Sequence, residues 1–187
     1  MRWMLALLLP ILVVPTAGCS NGSDDALEEQ LAAVTAERDE LAARIAAQQA
    51  RHDKAEATQQ AVIDIIADPT SYGTEDEVLD LLDQYAATPG IVYGDEAFGD
   101  TTWRTGWRNT LFGSVDADIQ TWTRWLSDDG STGGSLWSWN GTARNGEPFT
   151  LAGIVLEQYD DDGLYEAVRV YYPMPDADVH AAFAQGN

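Results

Sequence analysis

The chain has 187 residues, 45% of them hydrophobic, and sets 31 Asp and Glu against 10 Lys and Arg, a formal net charge of −21. So large an apolar share excludes a wholly disordered chain, and the length suits one domain with an accessory segment. The charge excludes nucleic acid as an expected partner, because phosphate contacts need clustered Lys and Arg. One Cys excludes an internal disulfide. With only two His, at 52 and 180, no His/Cys metal site is expected, and no cofactor is implied.

Arg2 precedes an almost continuous apolar run from Trp3 to Val14, interrupted by Pro10. The run is shorter than the ~20 residues a spanning helix needs. Thr16-Ala17-Gly18 then leads into Cys19, the layout of a secretory signal over residues 1–18. The lone cysteine after Ala-Gly also resembles the lipobox of bacterial lipoproteins, although Thr16 departs from the Leu usual there. That resemblance implies cleavage before Cys19 and diacylation of its thiol. It implies a place in the bacterial cell envelope, lipid-anchored and facing outside the cytoplasmic membrane. An ordinary signal with an incidental cysteine is the alternative.

Residues 19–25 are small and polar, a flexible tether. From Ala26 to Ala67 the chain is rich in good helix formers and free of Gly and Pro. Leu27, Leu31, Val34, Leu41 and Ile45 fall on alternating four- and three-residue steps, with Arg38 in one gap, an a/d heptad seam. In register the seam continues through Gln48, His52, Ala55 and Gln59, then Val62 and Ile66, so the apolar stripe fades and returns. Residues 26–60 therefore read as a helical or coiled-coil stalk, with a homodimer or a helix laid on the domain as alternatives. His52 reads as an exposed helix residue.

A domain is expected over 61–175, followed by a polar tail over 176–187. Thr74 and Glu77 have capping-box spacing ahead of a helix bearing Val78, Leu79, Leu81, Leu82 and Tyr85, which should stop by Pro89-Gly90. Ile91 to Tyr93 is a short strand signal, and residues 102–112 read as a second helix stopped by Gly113. The apolar period then switches to two, with strands expected over 118–126, 135–143, 149–159 and 164–172. Gly-rich or acidic turns separate them, including Asp160-Asp161-Asp162-Gly163, read as a hairpin turn rather than a calcium loop. Helices followed by an antiparallel meander make an α+β domain.

Particular motifs go further. Trp139-Asn140-Gly141-Thr142, Gly146-Glu147-Pro148-Phe149, Gly153-Ile154, Asp162-Gly163-Leu164 and Arg169-Val170-Tyr171-Tyr172 together resemble the SnoaL-like branch of the nuclear transport factor 2 superfamily. The resemblance implies a cone: a curved antiparallel sheet packed on helices, with an apolar pocket open at one end, and frequent dimers. It implies no single activity, because the fold hosts cyclases, isomerases, hydrolases and non-catalytic proteins. The chain lacks the Arg-x-Asp pattern of the family's epoxide hydrolases and has no His between residues 53 and 179. Catalysis is therefore not the first expectation.

Six tryptophans between 103 and 139 supply flat apolar area for a small apolar or aromatic ligand, with core filling as the alternative. Strict alternation places Trp122 with Arg124 on one strand face, and Trp137 with Trp139 on one face of the next. The candidate ligand-binding set is Trp107, Trp122, Arg124, Trp137, Trp139, Arg169 and Tyr171; Arg124 and Arg169 are charges inside strands, suited to clamping a carboxylate or to pairing with an acid. Candidate acid/base groups, should an isomerase- or cyclase-like reaction occur, are Asp95, Asp118, Glu157 and Glu166, with Tyr93, Tyr165 and Tyr171 as donors. A non-catalytic interaction module remains the other alternative.

Overall fold

A computed structural model describes residues 22–87, 92–95, 99–142 and 146–171. The signal, Cys19, Pro89-Gly90 and the tail lie outside them. Helix α1 spans Gly22–Ala67 and so begins inside the expected tether, where Asp24 and Asp25 meet the positive end of the helix dipole. The chain divides into two units, 1–43 and 44–187. In the first, the heptad side chains Leu27, Leu31, Val34 and Leu41 are exposed. None of the described helices is long and apolar enough to cross a membrane.

In the second unit, Ala55, Thr58, Gln59, Val62 and Ile65 are buried, so the helix joins the core before residue 61. A short 3-10 turn, Pro69–Tyr72, leads to α2, Glu75–Asp83. Its Thr74–Glu77 capping box is formed, and hydrogen bonds from Thr74 hold the Glu77 carboxyl below its ordinary range. Helix α3, Trp103–Phe112, starts on the Thr102 cap and ends at Gly113. The Trp103 indole donates to the Leu82 carbonyl at 3.1 Å, tying α3 to α2. Arg104 and Arg108 pair with Asp80, Asp83 and Glu75 across the same contact.

Strands β1 (Val92–Asp95), β2 (Gly99–Thr102), β3 (Val115–Leu126), β4 (Thr132–Thr142), β5 (Pro148–Tyr159) and β6 (Tyr165–Tyr171) form one sheet in the order β2-β1-β6-β5-β4-β3. The β3 to β6 meander is antiparallel as the period-two runs predict. The β1–β6 pair is parallel, and β2 was not signalled in the sequence.

Two hairpin turns hold the helix against the sheet. Gly130 and Gly163 both have positive φ, 68° and 74°. A methyl group at Gly130 would stand 2.5 Å from the His52 Cα, and one at Gly163 2.6 Å from the Ala55 backbone nitrogen. Contact this close requires a residue without Cβ. Arg51 reaches Asp161 at 2.6 Å and Lys54 reaches Asp162 at 2.9 Å, fastening the same turns. His52 is consequently half-buried rather than exposed. Asp160 caps its own turn through the backbone N–H groups of Asp162 and Leu164, as a hairpin turn requires.

Candidate functional site

Between α1, α3 and the inner face of the sheet lies a mostly apolar cavity of about 50 Å³. Helix α1 supplies Val62, Ile63 and Ile66, and α3 supplies Trp107. The sheet contributes Ile119, Thr121, Trp137, Trp139 and, at its polar end, Ser135 and Glu157. The cavity lining takes Ser135, Trp137 and Trp139 from alternate positions of β4, and Val155 and Glu157 from β5, which is why the two tryptophans share this wall. Phe149 packs edge-on against Trp139, with ring centroids 5.4 Å apart, and fixes its plane.

Glu157 is the carboxyl of the cavity and is 7% exposed. Its Oε2 accepts from the Gln59 amide at 2.6 Å and from the Tyr159 hydroxyl at 2.7 Å. No hydrogen bond is formed by Oε1 with the described residues. Burial pushes the Glu157 carboxyl above its ordinary range, partly offset by the Tyr159 and Gln59 hydrogen bonds and the Arg124 charge. Burial likewise raises the phenols of Tyr159 and Tyr165, which stack with centroids 4.7 Å apart. Both remain neutral hydroxyls that can donate a hydrogen bond. The resulting arrangement suits a protonated Glu157 whose Oε2 accepts two bonds while Oε1 carries the proton.

Of the residues expected from sequence, Trp107, Trp137, Trp139 and Glu157 line this cavity, together with Tyr165. Trp122 does not. A bulge between Thr121 and Thr123 inserts Trp122 as an extra residue, so Thr121 and Arg124 turn inward while Trp122 faces out, 63% exposed. The expected pairing of Trp122 with Arg124 on one face is therefore broken. Arg124 lies at the Glu157 end, its Nη2 3.8 Å from Glu56 and its buried Nη1 without a hydrogen-bond partner. Arg169, Tyr171, Glu166 and Asp118 are exposed and outside the cavity lining, and Asp95 closes β1. Gln59 and Tyr159 were missed as site residues. The sequence signal for Gln59 was a polar residue at a heptad-seam position, which becomes a buried amide rather than a break in the seam. Among the described residues no three His, Cys, Asp or Glu side chains converge on a metal position.

A six-stranded sheet wrapped on helices around one inner cavity is the NTF2-like cone, and solved structures bear this out. A candidate SnoaL-like polyketide cyclase from Jannaschia sp. CCS1 is similar at TM-score 0.54 and 13% identity, covering 72% of this chain and 95% of that one. An NTF2-like protein of unknown function from Burkholderia pseudomallei K96243 matches at TM-score 0.54 and 11% identity, covering 71% and 98%. The BvnE pinacolase from Penicillium brevicompactum matches at TM-score 0.54 and 10% identity, covering 70% and 90%. These likenesses establish a SnoaL-like fold for the domain. No protein-family model and no curated protein matches the sequence.

Proposed function

We propose that the domain binds a small, largely apolar ligand bearing one oxygen acceptor, to which the Oε1–H of Glu157 donates at the end of the Trp137–Trp139 wall. We propose also that an acyl group on Cys19 holds the chain outside the cytoplasmic membrane. The observation that carries the binding reading is the placement of one half-satisfied carboxyl in a mostly apolar cavity. The wall supplies apolar contact, and a single polar group fixes orientation. A volume of about 50 Å³ restricts the buried part of the ligand to the space of a few water molecules. A second reading, acid–base chemistry on that ligand, is favoured by the 2.7 Å Tyr159–Glu157 bond and the raised Glu157 pKa, which suit a buried proton donor.

The test titrates small cyclic ketones, phenols and short fatty acids while following tryptophan emission. Ketones should give a saturable change that survives Glu157→Gln, which keeps a donor, and disappears in Glu157→Leu. Exchange of ketone α-hydrogens with deuterated water, in which Glu157 protonates the carbonyl oxygen while a solvent water takes the α-proton, lost in Glu157→Gln while binding persists, would establish the second reading. A flat response to all three ligand classes refutes both.

A further inference from the structure

On the reading that Glu157 donates to a ligand oxygen, we infer that Arg124 clamps the charge of the same ligand. The ligand is then a small apolar carboxylic acid, held as its carboxylate between the Arg124 guanidinium and the Glu157 Oε1–H. The bulge before Thr123 turns Arg124 onto the inner face of β3, the kind of re-aiming that bulges provide. There it heads a row of partnered residues, Arg124, Ser135, Val155 and Val170, and the last three line the cavity. Glu157 and Val168, partners in the next row, line it as well. The guanidinium is close enough for its charge to act on both Glu157 and Tyr165.

The protein by itself leaves this charge poorly matched. Arg51, Arg104 and Arg108 each donate to a carboxylate at 2.6 Å. Arg124 donates to none of the described residues. Its ion contact among them is Glu56 at 3.8 Å, beyond hydrogen-bond reach, and its Nη1 is buried without a partner. The Glu56 side chain is 56% exposed, so water screens that pair. A buried charged nitrogen without an acceptor is costly, and a chain with 31 acids does not lack carboxylates to satisfy it. A ligand carboxylate supplies what is missing, because its two coplanar oxygens match the guanidinium fork. One oxygen accepts from Arg124. The other accepts from Glu157, as a charge-assisted bond stronger than one to a ketone. The carbons of the ligand then lie along Trp137 and Trp139. A phosphate ester fits less well: it would bring a further negative charge beside Glu56 and more oxygens than a mostly apolar wall can satisfy.

The experiment uses the full chain and two probes of nearly equal shape, cyclopentanecarboxylate and cyclopentyl methyl ketone. Tryptophan emission follows binding at a pH where the acid is ionised. The ketone offers Glu157 one acceptor and has a methyl group where the acid has its second oxygen. The wild type should bind the carboxylate about tenfold or more tightly than the ketone, the scale of a hydrogen bond to a charged group. In Arg124→Gln the ratio of the two affinities should fall to about one. In Glu56→Gln it should rise, because the carboxylate that competes for Arg124 is gone. An Arg124–Glu56 pair that only braces the fold would not move the ratio in opposite directions. Circular dichroism checks that each variant is folded, and Glu56→Gln decides alone should Arg124→Gln fail to fold. A wild type that binds the ketone as tightly as the carboxylate overturns the inference and leaves the Glu157 reading standing. So does a ratio that survives Arg124→Gln, or one that does not rise in Glu56→Gln. Binding of neither probe overturns both.

Discussion

Glu157→Gln isolates the buried carboxyl from the thirty other acids. Desolvation raises the folded-state pKa of Glu157 above 4.5, its ordinary value. Between these two values the folded chain holds a proton that the unfolded chain has released. Stability from this group is thus fully present below pH 4.5 and is lost as pH rises towards the folded pKa, at about 1.4 kcal/mol per pH unit. Glutamine has the same shape as the protonated acid: its carbonyl can take the Gln59 and Tyr159 bonds, and its NH₂ stands where Oε1 stands. It carries no charge at any pH. The melting-temperature gap between variant and wild type should therefore be flat below pH 4.5. Above it, the gap should widen in favour of the variant by about 3–6 °C per pH unit, at about 2–4 °C per kcal/mol for a chain this long. Parallel thermal melts by circular dichroism from pH 4 to 8 read it directly, since the other acids titrate alike in both proteins and cancel in the difference. A gap that stays constant over the whole range would show that Glu157 titrates as an exposed carboxyl, and the argument for a neutral donor in the cavity would collapse.

The turn glycines give a graded check on how the helix is held. Gly130→Ala should cost about 2–4 kcal/mol in urea denaturation, because a left-handed backbone and a clash with the His52 Cα add. Gly146→Ala has positive φ but no heavy atom within 4 Å of the new Cβ, so it should cost only about 1–2 kcal/mol; equal costs would remove the clasp from the account of α1. For the anchor, a fatty-acid label fed to cells should mark the wild-type chain and not Cys19→Ser, with the chain remaining in the membrane pellet only when labelled. Persistent labelling of the serine variant would place any lipid elsewhere. Acyl chains contribute about 0.8 kcal/mol per buried CH₂, and two of them suffice for stable attachment.

What the sequence determined by itself is what neighbours in the chain decide. The Thr74–Glu77 capping box, the second helix, the four period-two runs and the Asp160–Gly163 turn are all set within a few residues, and each forms close to where the sequence puts it. Motifs from Trp139 to Tyr172 also carried the cone, through their resemblance to the SnoaL-like branch. Tertiary structure decided the rest. Which tryptophans face inward turned on one inserted residue: the bulge at Trp122 reverses the parity of β3, and strict alternation cannot foresee an extra residue. The parallel seating of β1 on β6 joins residues more than 70 apart in the chain. The site itself depends on Gln59 meeting Glu157 across 98 residues. In the sequence the first is a flaw in a heptad seam and the second is one acid among 31. Burial alone distinguishes them, since only removal from water makes an amide and a carboxyl depend on each other and favours a neutral carboxyl.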